Sequence, residues 1–552
     1  MLRVTTTLIV SMLAILAGYP CAAAVTHGVD PSLWPSVVVT PQQWFVGLTH
    51  SYALPNLAAL LAMAGSQSPA FAGGGLTQLM AIASVPVAIL MMFPSTKGGP
   101  RKDPDAPHGA ARWANRAERA EMKRGVEFGV DIESGKPIRV ALEGNIVTIA
   151  PPRTGKTSGL IVPNLLMSST RSWSGPAVVI DPKGQVYQAV AQRRRDEGRT
   201  VRCLDPMNLA GGGDRWNPLA ALDPNDIVYL QRVARALLPP SEFQENAYFQ
   251  NRAVDAIVAA LLAAHKTGRA TPQAVSDLLS NAEQLTEALK DMKGATVDRV
   301  RELLTMDPKT RDPILSTSQQ SFQWCDDPRL QRLTSESTFS LVDLCRGNVD
   351  LFINLPTEDL EALAPFIRWF LTDLFAVIRR NRVAERLIVF VDETRTLSKS
   401  RELIGAAGEL PGYGASLWTF WQDYSQMISV YGDHDAATFL RTAEFVTVSD
   451  PAAVDPDARE FWSRSLSDLS IFEQTNVTDK AGQRHHTSSS EAPRAVRLMT
   501  SEELGRLPST DLILFANSSR YAKRPVLLRK TRHDDHRFTG LAASVAPIGA
   551  TI

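Results

Sequence analysis

The chain has 552 residues, 44% of them hydrophobic, which is enough for a sizeable core and about three or four folding units. Lys plus Arg number 58 and Asp plus Glu 58, so no global field attracts a polyanion, and any nucleic-acid contact has to come from a local basic lining. Cys21, Cys203, Cys325 and Cys345 stand far apart, which excludes a zinc module and a disulfide-stapled secreted domain and leaves reduced thiols in a cytosolic body.

Between Arg3 and Lys97 there is no Lys or Arg, and Asp30 is the only acidic residue. That is a membrane signature. Leu76–Phe93 runs for 18 residues without a charge, about 27 Å as a helix against a ~30 Å hydrocarbon layer, and Pro86 kinks such a helix without excluding it. Leu8–Val25 is a second apolar stretch. Met1-Leu2-Arg3 before it and Ala22-Ala23-Ala24 near its end fit either an anchor or a cleaved signal. Trp44–Ala64 is apolar enough for a third span. Lys97, Arg101 and Lys102 follow Leu76–Phe93 at once, so the positive-inside rule predicts that everything after it is cytoplasmic. The expectation is a multi-pass membrane protein with most of its chain in the cytoplasm.

After a polar linker over Pro100–Pro107, the soluble body opens with HGAARWA at His108–Ala114. Ile146–Ile149 is a short apolar run of the kind that forms a buried parallel strand, and it stops at Pro151-Pro152, which cannot continue a ladder. Arg153, Thr154, Gly155, Lys156, Thr157 and Ser158 then lead into a segment able to start a helix. The order strand, loop, helix is what a phosphate-binding loop requires. Gly155 lets the backbone approach a phosphate, Lys156 would place its ammonium on the β and γ phosphates, and Thr157 would give its hydroxyl to Mg²⁺. Ala150 stands where the first Gly of the usual phosphate-loop signature belongs.

Further on, PAVVIDPKGQ over Pro176–Gln185 is an apolar strand ending in Asp181-Pro182-Lys183-Gly184, with Asp181 either a turn cap or a ligand-facing carboxylate. Trp216-Asn217-Pro218-Leu219 is a turn. From Asp226 to Leu344 the pattern is helical, with breaks at Pro239-Pro240, Gly268, Pro272 and Pro308, and reads as an all-helical insertion into the sheet domain. RLIVFVDE over Arg386–Glu393 delivers two carboxylates at a buried strand tip, where Asp392 would hold Mg²⁺ and Glu393 would polarise an attacking water. Ala415–Trp421 ends in Gln422, placed to sense a γ-phosphate, with Gln426 one helical turn later. Apolar runs at Val349–Leu355, Phe445–Val448 and Leu512–Phe515 complete a doubly wound α/β sheet. The basic clusters Arg193–Arg195, Arg379–Arg380 and Arg524–Arg532 read as solvated faces.

These stretches together resemble the type IV coupling protein family, the TraG-type membrane ATPases of conjugation and type IV secretion. The resemblance runs from about Pro107 to Arg529 through HGAARWA, APPRTGKTSGLIVPNLL, VVIDPKGQVY, the Trp216–Leu219 turn, VDLFINLPTEDL, LIVFVDE and YGASLWTFWQDYSQMISVYG. It implies a RecA-like, FtsK-like P-loop NTPase that forms a homo-hexameric ring and uses ATP and Mg²⁺. Such a ring would pass a relaxase with its DNA, or protein effectors, to the components of a type IV secretion channel. Carried over by position, Lys156 and Thr157 are nucleotide ligands within the loop Arg153–Ser158. Thr157 and Asp392 are the Mg²⁺ residues, Asp392 and Glu393 the hydrolytic pair, and Gln422 the sensor. Gln185, where relatives often have Glu, and Thr394-Arg395 after the acidic pair depart from the family pattern. Arg441 and Arg464 are both candidates for an arginine finger supplied to a neighbouring subunit. Two other functions fit the same residues: a docking ring with little hydrolysis, and a membrane-tethered DNA pump. The expected division is a membrane anchor with an extracytoplasmic loop over 1–99, a nucleotide-binding domain over 100–225 and 345–532, the helical insertion over 226–344 and a disordered tail over 533–552.

Overall fold

Short runs of branched apolar residues become the central strands of one large sheet because both of their faces are covered by helices. The structure, a computed structural model, describes residues 108–167, 169–238, 247–268, 270–397, 400–451, 454–478, 487–517 and 520–541. These belong to one compact unit, Pro104–Ile552. The apolar segments 8–25, 44–64 and 76–93 lie outside the described residues, and among the described residues no helix is long and apolar enough to cross a membrane.

The strands are β1 (Val126–Asp131), β2 (Pro137–Val140), β3 (Asn145–Ile149), β4 (Ala177–Asp181), β5 (Thr200–Leu204), β6 (Val349–Asn354), β7 (Leu387–Val391), β8 (Ala415–Trp421), β9 (Ala443–Val448), β10 (Asp468–Thr478), β11 (Thr487–Arg497), β12 (Asp511–Ala516) and β13 (Val526–Arg529). Eleven of them form a mixed sheet in the order β2-β1-β13-β12-β9-β3-β8-β7-β4-β6-β5. From β9 to β5 every neighbouring pair is parallel. β12, β13, β1 and β2 extend it by antiparallel pairing. Pro137, which cannot donate to a ladder, sits on the outermost strand, where that loss is tolerated. The strand β12 was expected from Leu512–Phe515, but its antiparallel pairing, the strands β1, β2 and β13, and the separate ribbon of β10 with β11 were not.

Period-2 alternation sorts each central strand onto two cores. Leu387, Val389 and Val391 of β7 face one hydrophobic cluster, and Ile388 and Phe390 face the other. The first cluster continues without a break into the helical segment. Between Asp226, which caps Ile227–Leu237, and Val342–Cys345, all the regular elements among the described residues are helical. Pro272, Pro308 and Pro328 each occupy the first turn of a helix, where the missing N–H costs nothing. Trp216 of the Trp-Asn-Pro-Leu turn packs edge-on against Phe370 at 5.3 Å, and Phe322 of the helical segment against Trp369 at 6.0 Å. Helix Leu360–Arg380 therefore belongs to both halves of the core.

Two readings of charge and order are corrected by burial. The run Arg193–Arg195, expected as a solvated face, buries Arg194 completely, because Asp350 at the start of β6 needs a cation. Arg194 Nε lies 2.8 Å and Arg199 Nε 3.0 Å from Asp350 Oδ2, and Ala177 N donates to Asp350 Oδ1 at 2.9 Å. The tail, expected to be disordered from residue 533, instead packs back through residue 541. Phe538 is buried in the second cluster, and Arg537 pairs with Glu127 at 2.7 Å. Residues 542–552 lie outside the described residues. Cys203, Cys325 and Cys345 are buried and free, as the spacing implied.

Removing one partner of the buried pair strands the other charge. Asp350→Ala should cost about 3–5 kcal/mol of stability, measured by denaturant unfolding, whereas a surface pair at this position would leave the midpoint nearly unmoved.

Candidate functional site

The parallel register brings four strand tips to one edge: Ile149 pairs with Trp421, Thr419 with Val391, and Val391 with Ile180. β8 thus lies between β3 and β7, and residues that follow these strands meet above it.

The loop after β3 turns back on itself at two left-handed residues, Arg153 with φ +65° and Gly155 with φ +78°. At Gly155 a side chain would be strained by that φ and would approach Ser158 Oγ at 3.3 Å. Arg153 takes the same region with a side chain, at a cost of about 1 kcal/mol, and points into solvent. Ala150 is buried and lacks a positive φ, so the glycine missing from the signature is not required there. Thr154 is buried, and its hydroxyl donates to the carbonyl of Pro151 at 2.8 Å. The helix that follows begins with a wide π turn over Thr157–Ile161 before tightening to α over Val162–Leu166. Single π turns of this kind concentrate at functional sites.

Thr157 Oγ1 donates to Asp392 with both carboxylate oxygens at 2.9 Å. Lys156 Nζ lies 3.4 Å from Glu393 Oε2, and Gln422 Nε2 reaches the same carboxylate at 3.3 Å. Gln426, four positions on, accepts from the Gln422 backbone N–H at 3.1 Å and so fixes the turn after β8. Lys156, Thr157, Asp392, Glu393 and Gln422 are thus brought together. Arg153 is turned outward, and Ser158 is buried, its carbonyl accepting from the His533 N–H at 2.9 Å. Burial pushes the Asp392 carboxyl up, while Lys156 and the Thr157 hydroxyl pull it back. Asp181, at the tip of β4, accepts from the N–H groups of Val186 at 2.7 Å and Lys183 at 2.9 Å, so it caps the turn and the next helix. It also faces the acidic pair: burial, and then the charge of Asp392, push its carboxyl up to about 6. Thr394, which departs from the family pattern, is buried and its hydroxyl accepts from the Phe420 N–H at 3.1 Å, so it ties the acidic turn to β8. A cavity of about 210 Å³ opens beside the loop, lined by Pro151, Pro152, Gln422, Tyr424, Ser449 and Trp462 among others.

Arg441 is exposed at the end of helix Asp433–Thr442. Arg464 is exposed and pairs with Glu460 at 2.7 Å. It lines a cavity with Ala516 at the far end of β12, which pairs with the start of β9 and so lies away from the loop after β3. Sequence reasoning missed one group. Lys530 Nζ, from the segment after β13, donates to the Thr154 carbonyl at 2.6 Å and to Ser449 Oγ at 3.2 Å. It sits in the basic run read as solvated, and nothing local in the sequence separates it from its neighbours.

Fold and site together define a mixed α/β protein with a large parallel sheet that carries a Gly-Lys-Thr loop and an acidic pair at one edge. Residues 114–537 match the family described as Type IV secretory system Conjugative DNA transfer, and the chain belongs to that family. It is 27% identical over 385 residues to a conjugal transfer protein TraG of Agrobacterium fabrum, covering 66% of this chain and 57% of the relative. It is 22% identical over 455 residues to a protein VirD4 of Rhizobium radiobacter, covering 78% of this chain and 64% of the relative. The chain therefore spans less than two thirds of the length of either. Among solved structures, the bacterial conjugative coupling protein TrwB in complex with sulphate has the same fold, with a TM-score of 0.59 at 17% identity over 79% of this chain and 96% of that one.

The raised Asp181 value has a consequence for stability. Its folded value of about 6 lies above the ordinary 3.8, so the unfolded chain ionises first as pH rises. The stability contributed by this group falls between about pH 4 and pH 6 and stays low above that. Asp181→Asn removes the titration, so it should cost about 1 kcal/mol less at about pH 7.5 than at about pH 5. Unfolding at the two pH values checks this, and equal costs would contradict it.

Proposed function

We propose that the chain is the inner-membrane coupling ATPase of a conjugative type IV secretion system. In this role it recruits a relaxase with its DNA, or protein effectors, and spends nucleotide hydrolysis on their delivery to the secretion channel. The observation that carries the reading is the Thr157–Asp392 contact, with Glu393 held between Lys156 and Gln422 beside it. Membership of the conjugative DNA transfer family supports it. So does the fold shared with TrwB, which has been solved with an ATP analogue and with ADP and Mg²⁺.

The donor set fits the metal. Mg²⁺ takes hard oxygens, keeps several waters and is held by one or two protein groups plus phosphate oxygens. Thr157 Oγ1 and Asp392 offer such oxygens, and a carboxylate buried this deeply gains from a cation. When bound, Mg²⁺ would be held by Thr157 and Asp392 and would offset the phosphate charge. The rest falls to the chain. Backbone N–H groups of the loop and of the helix that follows point at the phosphates, and Lys156 adds its ammonium. Glu393 accepts a proton from the water whose oxygen bonds to the γ-phosphorus as the bond to the β-phosphate oxygen breaks. Gln422, hydrogen-bonded to Glu393, senses whether the γ-phosphate is present and relays the difference to the segment after β8.

In a homo-hexameric ring the neighbouring subunit supplies an arginine, Arg441 or Arg464. The apolar segments over 1–99 anchor the ring in the membrane with its bulk cytoplasmic. The nucleotide-binding domain comprises 100–225 and 345–532, and the helical insertion over 226–344 selects the cargo.

ATP turnover by the full chain, with single- and double-stranded DNA added, tests the core of this reading. Lys156→Ala should lose both nucleotide binding and turnover. Glu393→Gln should keep binding and lose at least about 100-fold in turnover, the scale of general-base catalysis. Turnover that survives Glu393→Gln would sink the hydrolytic role; binding without turnover in the unaltered protein would favour the docking ring. Exchanging 226–344 for the corresponding segment of a relative should change which cargo is transferred in mating assays, and unchanged cargo choice would remove that segment from substrate selection.

A further inference from the structure

We propose that Lys530 is a positioning residue of the phosphate loop, a buried cation that fixes the orientation of the Thr154–Gly155 peptide so that its N–H faces a bound phosphate. This rests on the phosphate-binding reading of the loop and extends it to a residue 376 positions away in the chain.

The geometry is specific. A trans peptide is planar, and its carbonyl and N–H point in opposite directions. Lys530 Nζ holds the Thr154 carbonyl at 2.6 Å on the inner side of the loop, so the N–H of the same peptide, which belongs to Gly155, is turned to the outer side. Gly155 has φ +78°, a conformation with low resistance to a peptide flip when nothing holds it. The second bond of the ammonium, to Ser449 Oγ at 3.2 Å, ties it to the tip of β9, and the Ser449 N–H donates in turn to the Ile149 carbonyl at 2.9 Å. Lys530 therefore ties the loop after β3 to the end of β9, the strand that pairs with β3. Its stem lies against Gly159, where an added Cβ would meet Lys530 Cβ at 3.3 Å and Cδ at 3.5 Å. A glycine in the first turn of this helix is what leaves room for the lysine.

The ammonium is matched by a carbonyl and a hydroxyl; no carboxylate among the described residues pairs with it. Asp450 after β9 and Asp511 at the start of β12 act on it from a distance and favour the charge, Arg532 opposes it, and burial lowers the amine to about 8. A buried cation left with neutral acceptors costs stability, and a polyanion bound above the loop would offset that cost. Lys530 touches no reacting atom, so its contribution belongs to nucleotide affinity and not to the chemical step.

The test uses the full chain, calorimetric binding of ADP with Mg²⁺, and steady-state turnover of ATP. Lys530→Met keeps the stem against Gly159 and removes the ammonium. It should melt near the unaltered protein, weaken ADP binding and raise KM for ATP by about tenfold or more, as expected for losing a charged hydrogen bond, with kcat within roughly threefold. Gly159→Ala should weaken binding in the same direction by displacing the lysine, and the double variant should be no weaker than Lys530→Met alone. If Lys530→Met does not fold, Gly159→Ala with unchanged ADP affinity overturns the proposal. If Lys530→Met binds ADP as the unaltered protein does while Lys156→Ala does not, Lys530 has no such role and the phosphate loop reading stands. A loss of kcat equal to the rise in KM would also overturn it, and an unaltered protein that binds no ADP removes the loop reading together with this one.

Discussion

The contact between Thr157 and Asp392 joins residues 235 positions apart, and it exists only because β3 and β7 flank β8 in one parallel sheet. Parallel strands place all their carboxyl ends on one edge, so whatever follows them is gathered there. Here that gathering assembles Asp181, Asp392 and Glu393 within a small, largely dry volume. Like charges in such a place repel and are poorly solvated, which is why the carboxyls of Asp181 and Asp392 are both pushed up. The cations at the edge answer this. Lys156 pairs with Glu393 and acts on Asp392, and Lys183 acts on Asp392 from the β4 turn. The edge is an electrostatic balance held in place by strand order, and its members come from every part of the described chain.

The ends of the described chain close on this arrangement. Ala114 N donates to the Pro525 carbonyl at 2.9 Å, β1 pairs with β13, and Glu127 of β1 meets both Arg139 and Arg537 at 2.8 and 2.7 Å. The antiparallel wing thus joins the earliest and latest described strands beside β9. From there the segment after β13 passes under the loop that follows β3, where Lys530 and the His533 N–H take the Thr154 and Ser158 carbonyls. Carbonyls in a buried loop need hydrogen-bond partners. The C-terminal segment provides those partners.

How much of this was legible follows from which forces are local. β3, β4, β7, β8 and β9 were readable because a strand buried on both faces is a continuous apolar run, and the polar residues at their tips, Asp181, Asp392, Glu393 and Gln422, stand out against it. The proline-phased helices of 226–344 were readable for a similar reason. β1, β2 and β13 were not, because VEFGVD, PIRV and VLLR are short and become strands only by pairing with one another across the chain. Arg194 and Lys530 were hidden inside basic runs, since a sequence shows the charge and not the buried Asp350 or the Thr154 carbonyl waiting for it. Ala150 looked like a defect in the phosphate loop until its backbone conformation showed that no glycine was needed.

The helical segment raises a different constraint, because it shares its hydrophobic cluster with the sheet and does not have a core of its own. Swinging it as a rigid body would open the Phe322–Trp369 contact and strip apolar surface along helix Leu360–Arg380. Each aromatic pair is worth about 0.5–1.5 kcal/mol beyond its area, and the buried surface adds more. Tyr229 adds a polar tie, donating to the buried Asp373 on that same helix, whose carboxyl burial pushes up to about 7. The turn after β8 costs less to move: Gln422 is held to Glu393 at 3.3 Å and to Gln426 at 3.1 Å, bonds that water or a phosphate oxygen can replace. A change at this edge of the sheet therefore has its lowest-energy outlet through Gln422 and the helix Tyr424–Tyr431, while helix Leu360–Arg380 holds the helical segment in register with the sheet.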